Sequence, residues 1–89
     1  MLEENLGKYI NLIVEVTNIK EIMTKNNDVM AFVKGSDEFK QIDITFFPKT
    51  YKENNNLTNH DIINVYGKIE KRLDSYQIIA SKIIKLNKE

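Results

Sequence analysis

The one histidine of this 89-residue sequence, His60, stands in the polar run Thr58-Asn59-His60-Asp61. Histidine is the side chain that ordinarily titrates near neutral pH, but no cysteine or serine lies beside His60 to form a nucleophile and base pair. The run therefore reads as a solvated turn. There is no cysteine anywhere, which excludes disulfides and zinc sites built on Cys and His. Asp37, Asp43 and Asp74 fall in separate segments, so no pair of carboxylates is spaced to hold a metal, and no glycine-rich phosphate loop is present. No catalytic residue and no cofactor is expected. What remains is binding chemistry: aromatic rings at Phe32, Tyr51, Tyr66 and Tyr76, and cations at Lys20, Lys25, Lys34, Lys71 and Arg72.

The elements that must position these groups read mostly as strands. From Tyr9 to Ile19, Ile10, Leu12, Val14 and Val16 alternate with more polar residues, the period of a half-buried strand. The polar run Thr24 to Asp28 is a turn into a second strand, Val29 to Lys34. Gly35-Ser36-Asp37-Glu38 is the next turn, and Phe39 to Phe47 the third strand, with Ile42, Ile44 and Phe46 on one face. Pro48 suits the first turn of a helix, so Pro48 to Glu53 is a short helix ending in asparagines. Asp61 to Arg72 is a fourth strand, which Gly67 allows to bend sharply. Leu73-Asp74-Ser75 turns into a fifth, Tyr76 to Leu86, whose paired isoleucines at 78/79 and 83/84 predict a bulge or burial on both sides.

Three strands, a short helix and two strands predict an all-β fold with one short helix, a five-stranded Greek-key barrel of the OB type. The alternative is an open five-stranded sheet with the helix packed on one face. The length suits a single domain with one core, with a loose segment at 1–8, the barrel at 9–86 and a tail at 87–89. Hydrophobic residues make up 42% and charged residues 29%, a globular balance. No apolar run approaches the roughly 20 residues of a membrane-spanning helix. The acidic start Met1-Leu2-Glu3-Glu4 lacks the features of a secretory signal. These features predict a cytoplasmic protein without membrane contact. The 13 basic residues balance 13 acidic ones, so a strongly basic total gives no support for nucleic-acid binding, and the distribution of charge carries more meaning.

With the elements placed, one combination stands out. Asn18 to Ile22, Thr24-Lys25, Met30-Ala31-Phe32-Val33, Asp37, Phe47-Pro48-Lys49-Thr50-Tyr51 and Gly67 before Ile69 resemble the OB domain of the bacterial replicative DNA polymerase III alpha subunit, of the DnaE type. The resemblance runs from about Tyr9 to Leu86. The sequence departs from the pattern at Val14 and His60, where that family usually has glycines, and at Gly35, where an apolar strand residue is usual. The resemblance implies a domain of a much larger polymerase whose metal-binding carboxylates lie elsewhere. It also implies weak binding of single-stranded template and contacts to neighbouring domains or replisome proteins.

In an OB barrel, single strands bind on the outer surface of strands two and three, between the loops joining strands one to two and four to five. Parity puts Ala31 and Val33 on one face of strand two and Met30, Phe32 and Lys34 on the other. It does not by itself say which face is the core; the family resemblance assigns Ala31 and Val33 to it. Phe32 is then the stacking candidate. Lys20 and Lys25 flank the first loop and Lys71 and Arg72 the second, so the nucleic-acid-binding set is Lys20, Lys25, Phe32, Lys34, Lys71, Arg72 and Tyr76. For Tyr76 and Tyr66 a packing role competes with stacking, and Tyr51 reads as a plug over one barrel end. Asp43 on the same face weakens phosphate attraction, so affinity is expected at about micromolar or weaker. A second reading is a protein-docking module of the replisome with little DNA contact; a third is a free-standing OB protein related to replication or tRNA-binding proteins.

Overall fold

The computed structural model describes residues 6–54 and 56–86. Its elements are β1 (Tyr9–Met23), β2 (Val29–Ser36), β3 (Gln41–Phe46), α1 (Pro48–Glu53), β4 (Ile62–Arg72) and β5 (Ser75–Lys85). The strands close into a barrel in the order β1-β2-β3-β5-β4, with β4 returning to β1. Every neighbouring pair is antiparallel except β3 and β5, which run parallel through Asp43–Gln77, Ile44–Ile78 and Thr45–Ile79. This is the five-stranded OB-type barrel the element order predicts, not the open sheet. Among the described residues no helix is long and apolar enough to cross a membrane.

Three strand limits differ from the sequence reading. β1 continues past Ile19 to Met23, pairing with β2 out to Val29. β2 keeps Gly35 and Ser36 in the ladder, opposite Ile42 and Gln41, instead of releasing them to a turn. β3 starts at Gln41 because the Asp37 carboxylate accepts the N–H groups of Phe39 (2.7 Å) and Lys40 (2.9 Å), which fastens the loop and keeps those amides from the sheet. The same two bonds hold the Asp37 carboxyl below its usual pKa. Residues 1–5 and 87–89, most of the two ends predicted to be loose, lie outside the described residues. Gly7 already donates its N–H to Ile69 O.

Two irregularities set which side chains face in. β1 pairs with β4 from Tyr9 to Glu15 and with β2 from Glu15 to Met23, and its register slips by one between Val16 and Asn18. Val14 and Val16 point into the core, but beyond the slip Ile19 packs against it instead, so Asn18 and Lys20 turn outward. The Thr17 hydroxyl donates to Lys34 O at this bulge (3.2 Å). A second slip passes Ser81, between the pairs Tyr66–Lys82 and Gly67–Ala80. It is the bulge that the paired isoleucines predict: Ile78 is fully buried and Ile84 exposed. At Gly67 a Cβ would lie 2.3 Å from Ile79 O, so only glycine permits this approach of backbones.

The core gathers Val14, Val16, Val33, Ile42, Ile44, Phe46, Ile63, Val65, Ile69 and Ile78, with Ala31 and Ala80 where space is short. Val14 and Gly35, two departures from the family pattern, meet inside it. A Cβ on Gly35 would stand 2.7 Å from Val14 Cγ2, so the valine fills the volume that the glycine leaves. His60, the third departure, has φ +77°, a left-handed conformation that suits glycine. Its turn is nonetheless well fastened: His60 N–H donates to Val16 O and Val16 N–H to Asp61 O. The buried Asp61 carboxylate accepts Thr58 N–H (2.8 Å) and pairs with Lys85 (3.2 Å).

Pro48 opens α1, and Asn54 ends it with N–H to Tyr51 O. The helix lays Tyr51 over one end of the barrel, 3% exposed, with its ring edge-on to Phe46 at 6.2 Å. The Tyr51 hydroxyl donates to Glu21, and burial followed by that bond pushes its pKa up to about 12. The fold therefore favours the neutral phenol. Its contribution is complete below the ordinary tyrosine pKa near 10 and disappears as pH rises through about 12. In pH-dependent denaturation, Tyr51→Phe is expected to lack this alkaline loss between about pH 10 and 12. Overpacking by Gly35→Val is expected to cost about 1–3 kcal/mol. The cost should be smaller when Val14→Gly is already present, as thermal melts of both backgrounds would show.

Candidate nucleic-acid interface

The outer surface of β1, β2 and β3 carries two rows of side chains in register. Lys20 pairs with Phe32 and Phe32 with Thr45; Asn18 pairs with Lys34 and Lys34 with Asp43. These residues and Arg72, reaching over from the β4–β5 hairpin, line a groove of about 200 Å³. The Arg72 guanidinium lies 4.9 Å from the centroid of the Phe32 ring, within the range of a cation–π contact. Lys34 Nζ is 2.9 Å from Asp43 Oδ1, so the carboxylate the sequence marks as unfavourable to phosphate neutralises one of the cations. The Thr45 hydroxyl donates to Gln77, tying the groove floor to β5.

Of the seven predicted binding residues, the structure brings together Lys20, Phe32, Lys34 and Arg72. Lys25 stands apart in the β1–β2 turn, where Thr24 Oγ1 accepts the N–H groups of Asn26 and Asp28. Lys71 and Tyr76 pair with each other but share the parity of the buried Ile69 and Ile78, opposite to that of Arg72. The adjacent residues Lys71 and Arg72 thus belong to different faces of the hairpin. Met30 shares the face of Phe32, as its parity predicts, yet is only 8% exposed. The hairpin tip holds Leu73 at φ +53° and almost fully exposed.

Sequence reasoning missed Asn18 and Thr45. Asn18 faces the groove because of the bulge before it, and Thr45 is nearly buried beneath it, although its place in the alternation of β3 already put it on that face. His60 is solvated as predicted, with its Nδ1 3.0 Å from Glu15 Oε2. Among the described residues no three of His, Cys, Asp or Glu gather in a way that could hold a metal ion.

Comparison with known proteins decides the family. A profile of the OB-fold nucleic acid binding domain matches residues 10–86. This chain belongs to that family. It is also 34% identical over 80 residues to the DNA polymerase III subunit alpha of Staphylococcus aureus, an alignment covering 89% of this chain and 8% of the relative. The chain thus spans under a tenth of that relative's length. The OB barrel superposes on a mitochondrial single-stranded DNA binding protein of S. cerevisiae with a TM-score of 0.73 at 11% identity, covering 93% of this chain and 98% of the other. The second OB-fold domain of replication protein A from Methanococcus maripaludis matches with a TM-score of 0.68 at 21% identity, covering 96% and 88%. At such identities these two likenesses establish the fold.

Because Arg72 itself is exposed and only covers a half-buried ring, its contact with Phe32 adds little to the fold. Arg72→Gln is expected to lower unfolding stability by no more than about 1 kcal/mol in chemical denaturation, leaving the barrel intact for binding work.

Proposed function

We propose that the chain is a single-stranded nucleic-acid-binding module and that its groove over β1, β2 and β3 takes the strand. The observation that carries this reading is the Phe32 ring with Arg72 over its face and Lys20 beside it, at the centre of the outer surface. A base stacks on a guanidinium plane as well as on an aromatic ring, so Arg72 and Phe32 together form the platform, and Lys20 beside it tracks the phosphates. Lys34 contributes less than its charge suggests, being paired with Asp43. Lys25 and Lys71, on the flanking loops, meet the strand only beyond the groove, and Tyr76 has a packing role.

With few phosphate contacts and a balanced total charge, affinity is low, about micromolar or weaker, and falls with salt. The identity to polymerase III alpha subunits supports a wider reading. The chain is the OB domain of such a polymerase, it contacts template strand in the cytoplasm, and the polymerisation chemistry belongs to other parts of the protein. A docking role toward other replisome domains is favoured by one observation, the neutralisation of Lys34 by Asp43 on the binding face.

The test is a titration of the chain with short single strands at two salt concentrations, followed through backbone amide shifts. Salt-sensitive shifts at Lys20, Phe32 and Arg72 are expected. Arg72→Ala should weaken binding several-fold and Lys71→Ala less. Silence across the groove at both salts would favour docking.

A further inference from the structure

The barrel has a second outer face, formed by the first half of β1, by β4 and by the end of β5; none of the seven residues of the predicted binding set lies in it, although Tyr66, an aromatic the sequence also offered for stacking, does. Tyr9 and Tyr66 stack there with centroids 5.3 Å apart and planes 20° from parallel, yet remain 54% and 40% exposed. Beside them is a depression of about 430 Å³ lined by Asn11, Asn64, Tyr66, Lys82 and Ile84. Its volume is within the roughly 300–1,000 Å³ usual for small-molecule sites.

Asn64 is out of place as a structural residue. It sits on a strand paired on both sides, opposite the exposed Ile13 on β1 and Ile84 on β5. A β-branched residue would fit that surface better. Its Oδ1 is shielded from solvent and has no hydrogen-bond partner among the described residues, an arrangement that lowers stability. A residue that breaks a local rule without structural compensation marks a place where binding is the gain.

The groups around it are those that grip a nucleotide. Tyr66 offers a ring already held flat by Tyr9. Asn64 and Asn11 offer amides, which can accept from and donate to a base edge in pairs. Lys82 stands opposite Tyr66 and makes no ion pair among the described residues, while Lys68 stands opposite Tyr9, 3.7 Å from Glu70. The cations at the tyrosine end match phosphate. A protein partner covering this face would use the exposed isoleucines, but it would leave the amide pair and Lys82 unexplained.

The geometry points to a second nucleobase site for single-stranded nucleic acid, with the base stacked on Tyr66, its edge met by Asn64 and Asn11, and its phosphate near Lys82. The site does not depend on the groove over β2 and β3.

The probe is a trinucleotide of deoxyadenylate, titrated to millimolar concentration against the labelled chain. Shifts are expected in the Asn64 and Asn11 side-chain amides and in the backbone amides of Tyr66 and Lys82. They should persist in Phe32→Ala, which separates this site from the groove. Asn64→Val should raise the melting temperature while abolishing the shifts at Asn11, Tyr66 and Lys82, a combination that a packing role does not produce. Tyr66→Leu should abolish them as well. The proposal is overturned if this face stays silent in the wild-type chain, if its shifts vanish with Phe32→Ala, or if Asn64→Val leaves them intact. It is equally overturned if the same signals move with protein concentration alone, since copies of the chain would then be covering the face.

Discussion

The barrel closes because one long strand, β1, changes partner along its length. Its first half pairs with β4 and its second with β2, and the extra residue at Thr17 marks the change. The bend and added twist of a bulge are what such a change of partner requires. The consequences reach well beyond the strand. The slip turns Lys20 and Asn18 outward, next to Phe32 and Lys34, so the cation that flanks the aromatic platform is a product of barrel closure. The opposite irregularity, at Ser81, does the same for Lys82 and Ile84 on the far face.

Much of this was legible in the residues. The alternation of Ile42, Ile44 and Phe46, the proline at the start of α1 and the turn chemistry at Thr24 to Asp28 are local signals. They gave the element order, and with it the barrel. The outward facing of Phe32 followed from the family resemblance, which assigns Ala31 and Val33 to the core, since alternation alone left the two faces of β2 open. The bulge at Thr17 was not legible, because one inserted residue reverses parity without changing composition. Alternation likewise puts Met30 on the face of Phe32 but does not show that it is buried there. Lys71 and Arg72 are neighbours that alternation alone could have separated, and the two-loop picture obscured it.

The departures from the family pattern are informative in a different way. Val14 and Gly35 look like two unrelated anomalies along the chain, yet they are one packing solution with the large and small residues exchanged between facing strands. Such exchanges keep core volume constant, which is what a close-packed interior demands. His60 has no such partner. Its left-handed backbone is tolerated because the surrounding turn is tied to β1 by two main-chain bonds and closed by the buried Asp61 with Lys85.

The parallel contact between β3 and β5 is the shortest seam in the barrel, three residue pairs long, and joins segments more than thirty residues apart in the chain. Few main-chain pairs hold it, so it is the seam that local opening reaches most easily. The bond from Thr45 to Gln77 crosses that seam at the floor of the groove. Breathing of the barrel is therefore concentrated under the Phe32 platform, while the face of Tyr9 and Tyr66 rests on the ladders that β4 makes with β5 and β1, neither of which includes this short seam. One surface of this small domain thus lies over the seam most able to open, and the other over ladders that hold its shape.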